Sequence, residues 1–142
     1  MNAKEINNTQ FKDAIRIAFS NDKDVFALYC PLVEVQNVDD IVNDISKRIG
    51  KDGKEATIKG VYEKSKLVGY YVYDKHTLVS FALSVEYRTR KYLNNLFSLI
   101  RSDMKGHIQA YMWSRNFRAI KYLCKQGMKI GNQDELITHL IL

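Results

Sequence analysis

A chain of 142 residues, 46% hydrophobic and 27% charged, carries enough apolar side chains for one domain with its own core and has no room for a second. No run approaches the roughly 18 apolar residues that a membrane-spanning helix needs, and Met1-Asn2-Ala3-Lys4-Glu5 lacks an apolar leader, so a soluble, non-exported single domain over 1–142 is expected. Cys30 and Cys124 are too few for a disulfide framework, and His76, His107 and His139 are too scattered for a zinc site; both thiols should be buried in a reducing compartment such as the cytoplasm. The net charge of +6 favours polyanions: nucleic acid, a phosphate-bearing cofactor or an acidic protein surface.

In chain order, Phe11, Ala14, Ile15, Ala18 and Phe19 recur at helical spacing and predict a helix capped by Asn8 or Thr9. Val25 to Val35 is apolar but contains Pro31, so it reads as a short helix or an extended piece. Asn37 caps a second helix with Val38, Ile41, Val42, Ile45 and Ile49 on one face, Gly50 as its stop and a Lys51-Asp52-Gly53 turn after it. From Ala56 the period changes to two, predicting antiparallel strands to Glu63 and over Leu67 to Tyr73, then a turn at Asp74-Lys75-His76 and a third strand from Thr77 to Val85. Tyr70, Tyr71 and Tyr73 would put aromatic area on both faces of this hairpin, as a protein-binding surface does.

Helical spacing returns with Tyr92, Leu93, Leu96, Phe97, Ile100 and Met104, ending at Gly106. A strand from His107 to Trp113, a helix from Asn116 to Gln126 and a strand from Leu136 to Leu142 complete the chain. This order specifies an α+β domain with a mixed sheet, in which Thr77 to Trp113 forms a parallel, right-handed crossover.

Within Ser114 to Met128, the residues Asn116, Arg118, Ala119, Ile120, Lys125 and Gly127 resemble the last conserved motif of GNAT N-acetyltransferases. The resemblance implies a mixed, mostly antiparallel sheet flanked by helices on both faces. It also implies acetyl-CoA bound on strand backbone, its pyrophosphate on a glycine-rich helix start. Val85-Glu86-Tyr87-Arg88 resembles the approach to that loop, but Lys91 and Leu93 stand where the family has glycines. Arg88, Arg90 and Lys91 crowd a helix start whose dipole disfavours cations, which is explained either by an anionic partner or by a solvated basic turn that tolerates the modest cost. The family's tyrosine, a general acid toward the CoA thiolate, falls on Leu123 in this register, and Tyr122 lies one residue, or about 100° of helix, early. Glu63, Asp74, Glu86 and His107 lie near strand ends, and none is marked as a base by its setting.

Two readings follow. The first is a GNAT-fold protein without acetyl transfer, needing no cofactor and acting as a structural or interaction component of an assembly, with a protein or polyanionic partner. The C-terminal part also resembles GNAT-like virion proteins of tailed phages, in its glycine-poor basic helix start, Trp-containing strand, Asn and helix closing with Gly. The alternative is a divergent N-acetyltransferase that holds acetyl-CoA through Ala82, Ser84, Val85, Arg88, Arg90, Lys91 and Asn116, with Tyr122 as acid.

Overall fold

A computed structural model describes residues 1–29, 35–52 and 56–142, with residues 50–52 as backbone only; Cys30, Pro31 and Gly53 lie outside the described residues. Strand β1 (Asn2–Glu5) precedes helix α1 (Asn8–Phe19). Asn7, not Asn8 or Thr9, caps α1: its Oδ1 accepts from Gln10 N at 2.9 Å and its own N–H donates to Gln10 Oε1 at 3.0 Å. This exchange satisfies two N–H groups at once, and the stripe Phe11, Ala14, Ile15 and Ala18 is buried as its spacing predicts. A short helix α2 (Val25–Tyr29) follows. Helix α3 (Val38–Asp52) starts at Asn37, whose Oδ1 accepts from Asp40 N at 3.1 Å, and it runs through Gly50 to Asp52.

Strands β2 (Thr57–Glu63), β3 (Lys66–Asp74) and β4 (Thr77–Leu83) form the antiparallel meander. A single 3-10 turn (Val85–Tyr87) leads into helix α4 (Arg90–Asp103), followed by strand β5 (Gln109–Trp113), helix α5 (Phe117–Lys125) and strands β6 (Lys129–Gln133) and β7 (Ile137–Ile141). The seven strands lie in the order β1-β2-β3-β4-β5-β7-β6, with β4 and β5 parallel as the crossover requires. Gly127, at φ +105°, lets the chain leave α5 for β6, a left-handed conformation that suits glycine.

Helices cover both faces. On one, α1 and α3 pack Ile15, Ile41 and Ile45 against Tyr70 and Val72; on the other, α4 and α5 pack Leu96, Ile100 and Leu123 against Tyr71, Leu78 and Leu140. Tyr70 and Tyr71 are therefore fully buried and Tyr73 is half-buried against the core, so the hairpin tyrosines do not form an exposed protein-binding face. Their hydroxyls are satisfied inside, Tyr70 by Ser80 Oγ at 2.9 Å and Tyr71 by donation to Asp103. Cys124 lies on the exposed side of α5, contrary to the buried thiol expected. No described helix is long and apolar enough to cross a membrane.

One buried carboxylate joins the layers. Asp22, in the α1–α2 connection, is 4% exposed and accepts from Arg88 Nη1 at 2.8 Å and from Arg118 Nη1 and Nη2 at 3.0 and 2.9 Å. Arg88 also donates from Nε to Leu83 O at 2.8 Å and from Nη2 to Ala18 O at 2.9 Å. Burial alone would raise the Asp22 pKa, but the bonds from Arg118 and Arg88 outweigh it and hold the carboxyl below its usual 3.8. Asp22→Ala leaves two guanidiniums without their acceptor and should cost about 3–5 kcal/mol in denaturant unfolding. The depressed pKa makes this contribution fully present above about pH 4 and lost as pH falls through the folded value; Asp22→Asn should flatten that acid limb.

Candidate functional site

Strand β4 carries the site because it belongs to two pairings that cannot both continue. Against β3 it is paired along its length, with Ser80 opposite Val72 and Leu78 opposite Tyr73, so Val79 bulges out of register. Against β5 it is paired only at Thr77 with Gln109 and Leu78 with Ala110. The bulge falls where the two strands part, and a bulge bends its strand and increases the local twist. Beyond it the edges of β4 and β5 face each other across a cleft of about 480 Å³, within the range of small-molecule sites.

The cleft passes between the helical layers. Val79 to Leu83 of β4 and Tyr111 to Trp113 of β5 form its walls, and Leu93, Leu96, Asn116 and Tyr122 line the α4–α5 side. On the α2–α3 side stand Tyr29, Ile45 and Arg48. Arg48 is ordered by three neighbours: its Nε and Nη2 lie 3.1 and 3.0 Å from Asp44 Oδ2, its Nη2 is 3.4 Å from the Tyr29 hydroxyl, and its guanidinium carbon is 5.1 Å from the Trp113 ring centre. Tyr29 meets the same indole edge to face at 5.4 Å. Burial pushes the Tyr70 phenol up to about 12, partly offset by its bond with Ser80, and pushes the Tyr29 phenol higher still. Both hydroxyls stay protonated at neutral pH.

Tyr122 is in the cleft and Leu123 is in the core, so the 100° rotation separating them favours the residue that the family register passed over. The Tyr122 hydroxyl donates to Leu93 O at 2.7 Å, and its ring is held by Phe81 at 5.4 Å and Phe97 at 6.3 Å. Burial raises its pKa well above the ordinary tyrosine value, which keeps it a proton donor. Asn116 both caps α5, accepting from Ala119 N at 3.3 Å, and lines the cleft. Arg90 and Lys91 are exposed in the first turn of α4, where Thr89 makes no side-chain cap and the first amides have no helical partner. The Lys91 ammonium lies 5.4 Å from the Tyr92 ring centre.

Three expected ligand residues are placed otherwise. Arg88 spends Nε, Nη1 and Nη2 on Leu83, Asp22 and Ala18, so it is a structural clasp and not a free phosphate ligand. The strand ends at Leu83, and Val85 stands exposed in the 3-10 turn, outside the cleft lining. Ser84 is buried, its N–H donating to Val68 O at 2.8 Å and its carbonyl accepting from Tyr87 N at 2.9 Å. Ala82 alone of the proposed strand residues lines the cleft.

No Asp, Glu or His lines the cleft among the described residues. Glu63 pairs with the Met1 amine at 3.2 Å, Glu86 with Lys66 at 3.6 Å, and His107 packs beside His76 at 5.3 Å. A shallow depression sharing Tyr111 and Ile137 holds Asp134, whose Oδ1 accepts from Leu136 and Ile137 N–H, each at 2.8 Å; these bonds lower its pKa. Sequence reading missed Asp22, Tyr29, Arg48 and Ser80. Only Ser80, a hydroxyl inside an apolar strand, left a local signal.

No protein-family model and no curated protein matches the chain. Solved structures do. A PaiA N-acetyltransferase from Thermoplasma acidophilum in complex with coenzyme A matches with a TM-score of 0.71 at 14% identity, over 99% of this chain and 96% of its own. An acetyltransferase from Thermus thermophilus gives a TM-score of 0.73 at 13% identity, over 99% and 95%. YncA from Salmonella typhimurium, with acetyl-CoA, gives 0.58 at 13%, over 100% and 92%. The chain has the GNAT fold. These structures lend no support to the likeness with phage virion proteins.

Gly69 of β3 sets the spacing of the cleft wall: a Cβ there would lie 2.2 Å from Ala82 O and 2.8 Å from a Leu83 methyl. Gly69→Ala should therefore destabilise the fold by the upper end of about 1–3 kcal/mol in urea unfolding, because a backbone carbonyl must move.

Proposed function

We propose that this chain binds an acyl-CoA between β4 and β5 and transfers the acyl group to an amine, as a divergent GNAT-fold N-acetyltransferase. The observation that carries the reading is the parting of β4 from β5 after two paired residues, which opens a cleft through the sheet with Tyr122 in its wall. The CoA complexes of structural neighbours add to it. The described residues fit such a ligand in part. The cleft suits a slender arm, and the first turn of α4 offers unpaired amides with Arg90 and Lys91 to meet phosphate charge. The side chains of Lys91 and Leu93 replace the bare glycine surface, so phosphates would sit further from the main chain and depend more on the two cations.

Acyl-CoA would supply the acyl group as a thioester and leave as the CoA thiol. The chain would contribute position and a proton: Tyr122 remains protonated through its burial and, on turning from Leu93 O, can donate to a departing sulfur. A binding component without transfer chemistry is the second reading. It is favoured by the engagement of Tyr122 with Leu93 and by the lack of an acidic or imidazole base among the described lining residues.

Thermal unfolding with and without CoA tests the reading. At 100 times its dissociation constant CoA should stabilise the fold by about 2.7 kcal/mol; no shift at millimolar CoA would remove the proposal. Arg90→Ala with Lys91→Ala should weaken binding several-fold, more at low salt. Tyr122→Phe should leave CoA affinity unchanged and lower turnover by about 100-fold or more. Unchanged turnover would leave Tyr122 a packing residue.

A further inference from the structure

We infer that the acceptor amine carries a carboxylate, received by Arg48 at the α3 rim of the cleft, so that amino-acid-like amines are preferred to polycationic ones. The inference rests on the acyl-transfer reading above and adds a substrate class to it.

The charged groups that line the cleft among the described residues are all guanidiniums, those of Arg48, Arg88 and Arg118. Asp22 is shared by Arg88 and Arg118, and Asp44 pairs with Arg48, so three cations face two carboxylates that stand behind them. A polyamine entering this site meets like charge with no lining acid to receive it.

Arg48 differs from the other two in keeping a terminal guanidinium nitrogen unengaged among the described residues. Arg88 and Arg118 are bound to buried Asp22, whereas Asp44 and Tyr29 engage only Nε and Nη2 of Arg48, and its Nη1 has no hydrogen-bond partner among the described residues. Its guanidinium is held against the Trp113 ring and by Asp44, so the fork is positioned before a ligand arrives. A carboxylate can accept from the open Nη1, and it takes the whole Nη1–Nη2 edge by displacing the long 3.4 Å contact of Nη2 with the Tyr29 hydroxyl.

The same charges bear on the missing base. Nearby cations and partial desolvation favour the neutral form of a bound amine, the form that reacts. Its nitrogen forms a bond to the thioester carbonyl carbon as the carbon–sulfur bond breaks. The sulfur leaves with the bonding pair, and the proton lost by nitrogen ends on sulfur, giving amide and free thiol.

The test compares phenylalanine, phenylalaninamide, phenethylamine and spermidine on the whole chain. Thermal shift is measured with CoA present, and thiol release with acetyl-CoA. Phenylalanine should bind and react at least about tenfold better than its amide or phenethylamine, and spermidine should be poorest. Arg48→Gln should shrink that preference to about twofold without changing CoA affinity, and Arg48→Lys, which keeps the charge without the fork, should fall between. Equal or better use of the amide, a preference for spermidine, or a preference untouched in Arg48→Gln would overturn the inference. So would CoA binding with none of the amines bound or acetylated. Absence of CoA binding would instead remove the acyl-transfer reading itself.

Discussion

The grip of two arginines on Asp22 is the interaction on which the rest of the molecule depends. It joins the end of α1, the end of β4, the approach to α4 and the first turn of α5 through charge-assisted hydrogen bonds. A carboxylate this buried is tolerable only because five N–H groups of the two guanidiniums are spent on it and on neighbouring carbonyls. The clasp stands at the end of β4 where the strand has already left β5. It fixes the mouth of the cleft while the hydrophobic layers fix its sides.

This arrangement also decides which cations are available. Basic residues near a helix start suggest an anion, yet Arg88 is consumed by the fold, and Arg90 and Lys91 are the ones left to solvent. On the opposite rim Arg48 is only partly consumed, braced by Trp113 and Tyr29. The charge of the site is thus set by which guanidiniums have buried partners, and that distribution divides structural arginines from ones that can meet a ligand.

Much of the architecture was legible along the chain. The period-two runs gave β2, β3 and β4, the helical stripes gave α1, α3, α4 and α5, and β4 and β5 are parallel as a strand–helix–strand crossover demands. β1 and β6 were not legible. Each is short and mostly or wholly exposed at a sheet edge, so neither shows the alternation that burial of one face imposes. The hairpin tyrosines misled for a related reason: alternation places side chains on two faces but does not say whether helices cover both.

Sequence by itself determined the α+β layering, the α5 motif of Asn116, Arg118 and Gly127, and the loss of glycine at the start of α4, because these depend on local spacing and residue size. Tertiary structure alone decided that Tyr122 and not Leu123 enters the cleft and that Arg88 is a clasp. It also brought Arg48 and Trp113 together from distant parts of the chain. The physical reason is that a side chain's role is set by the partners that satisfy or bury it. Here those partners come from residues far away in sequence, joined across a sheet whose two central strands part at the Val79 bulge.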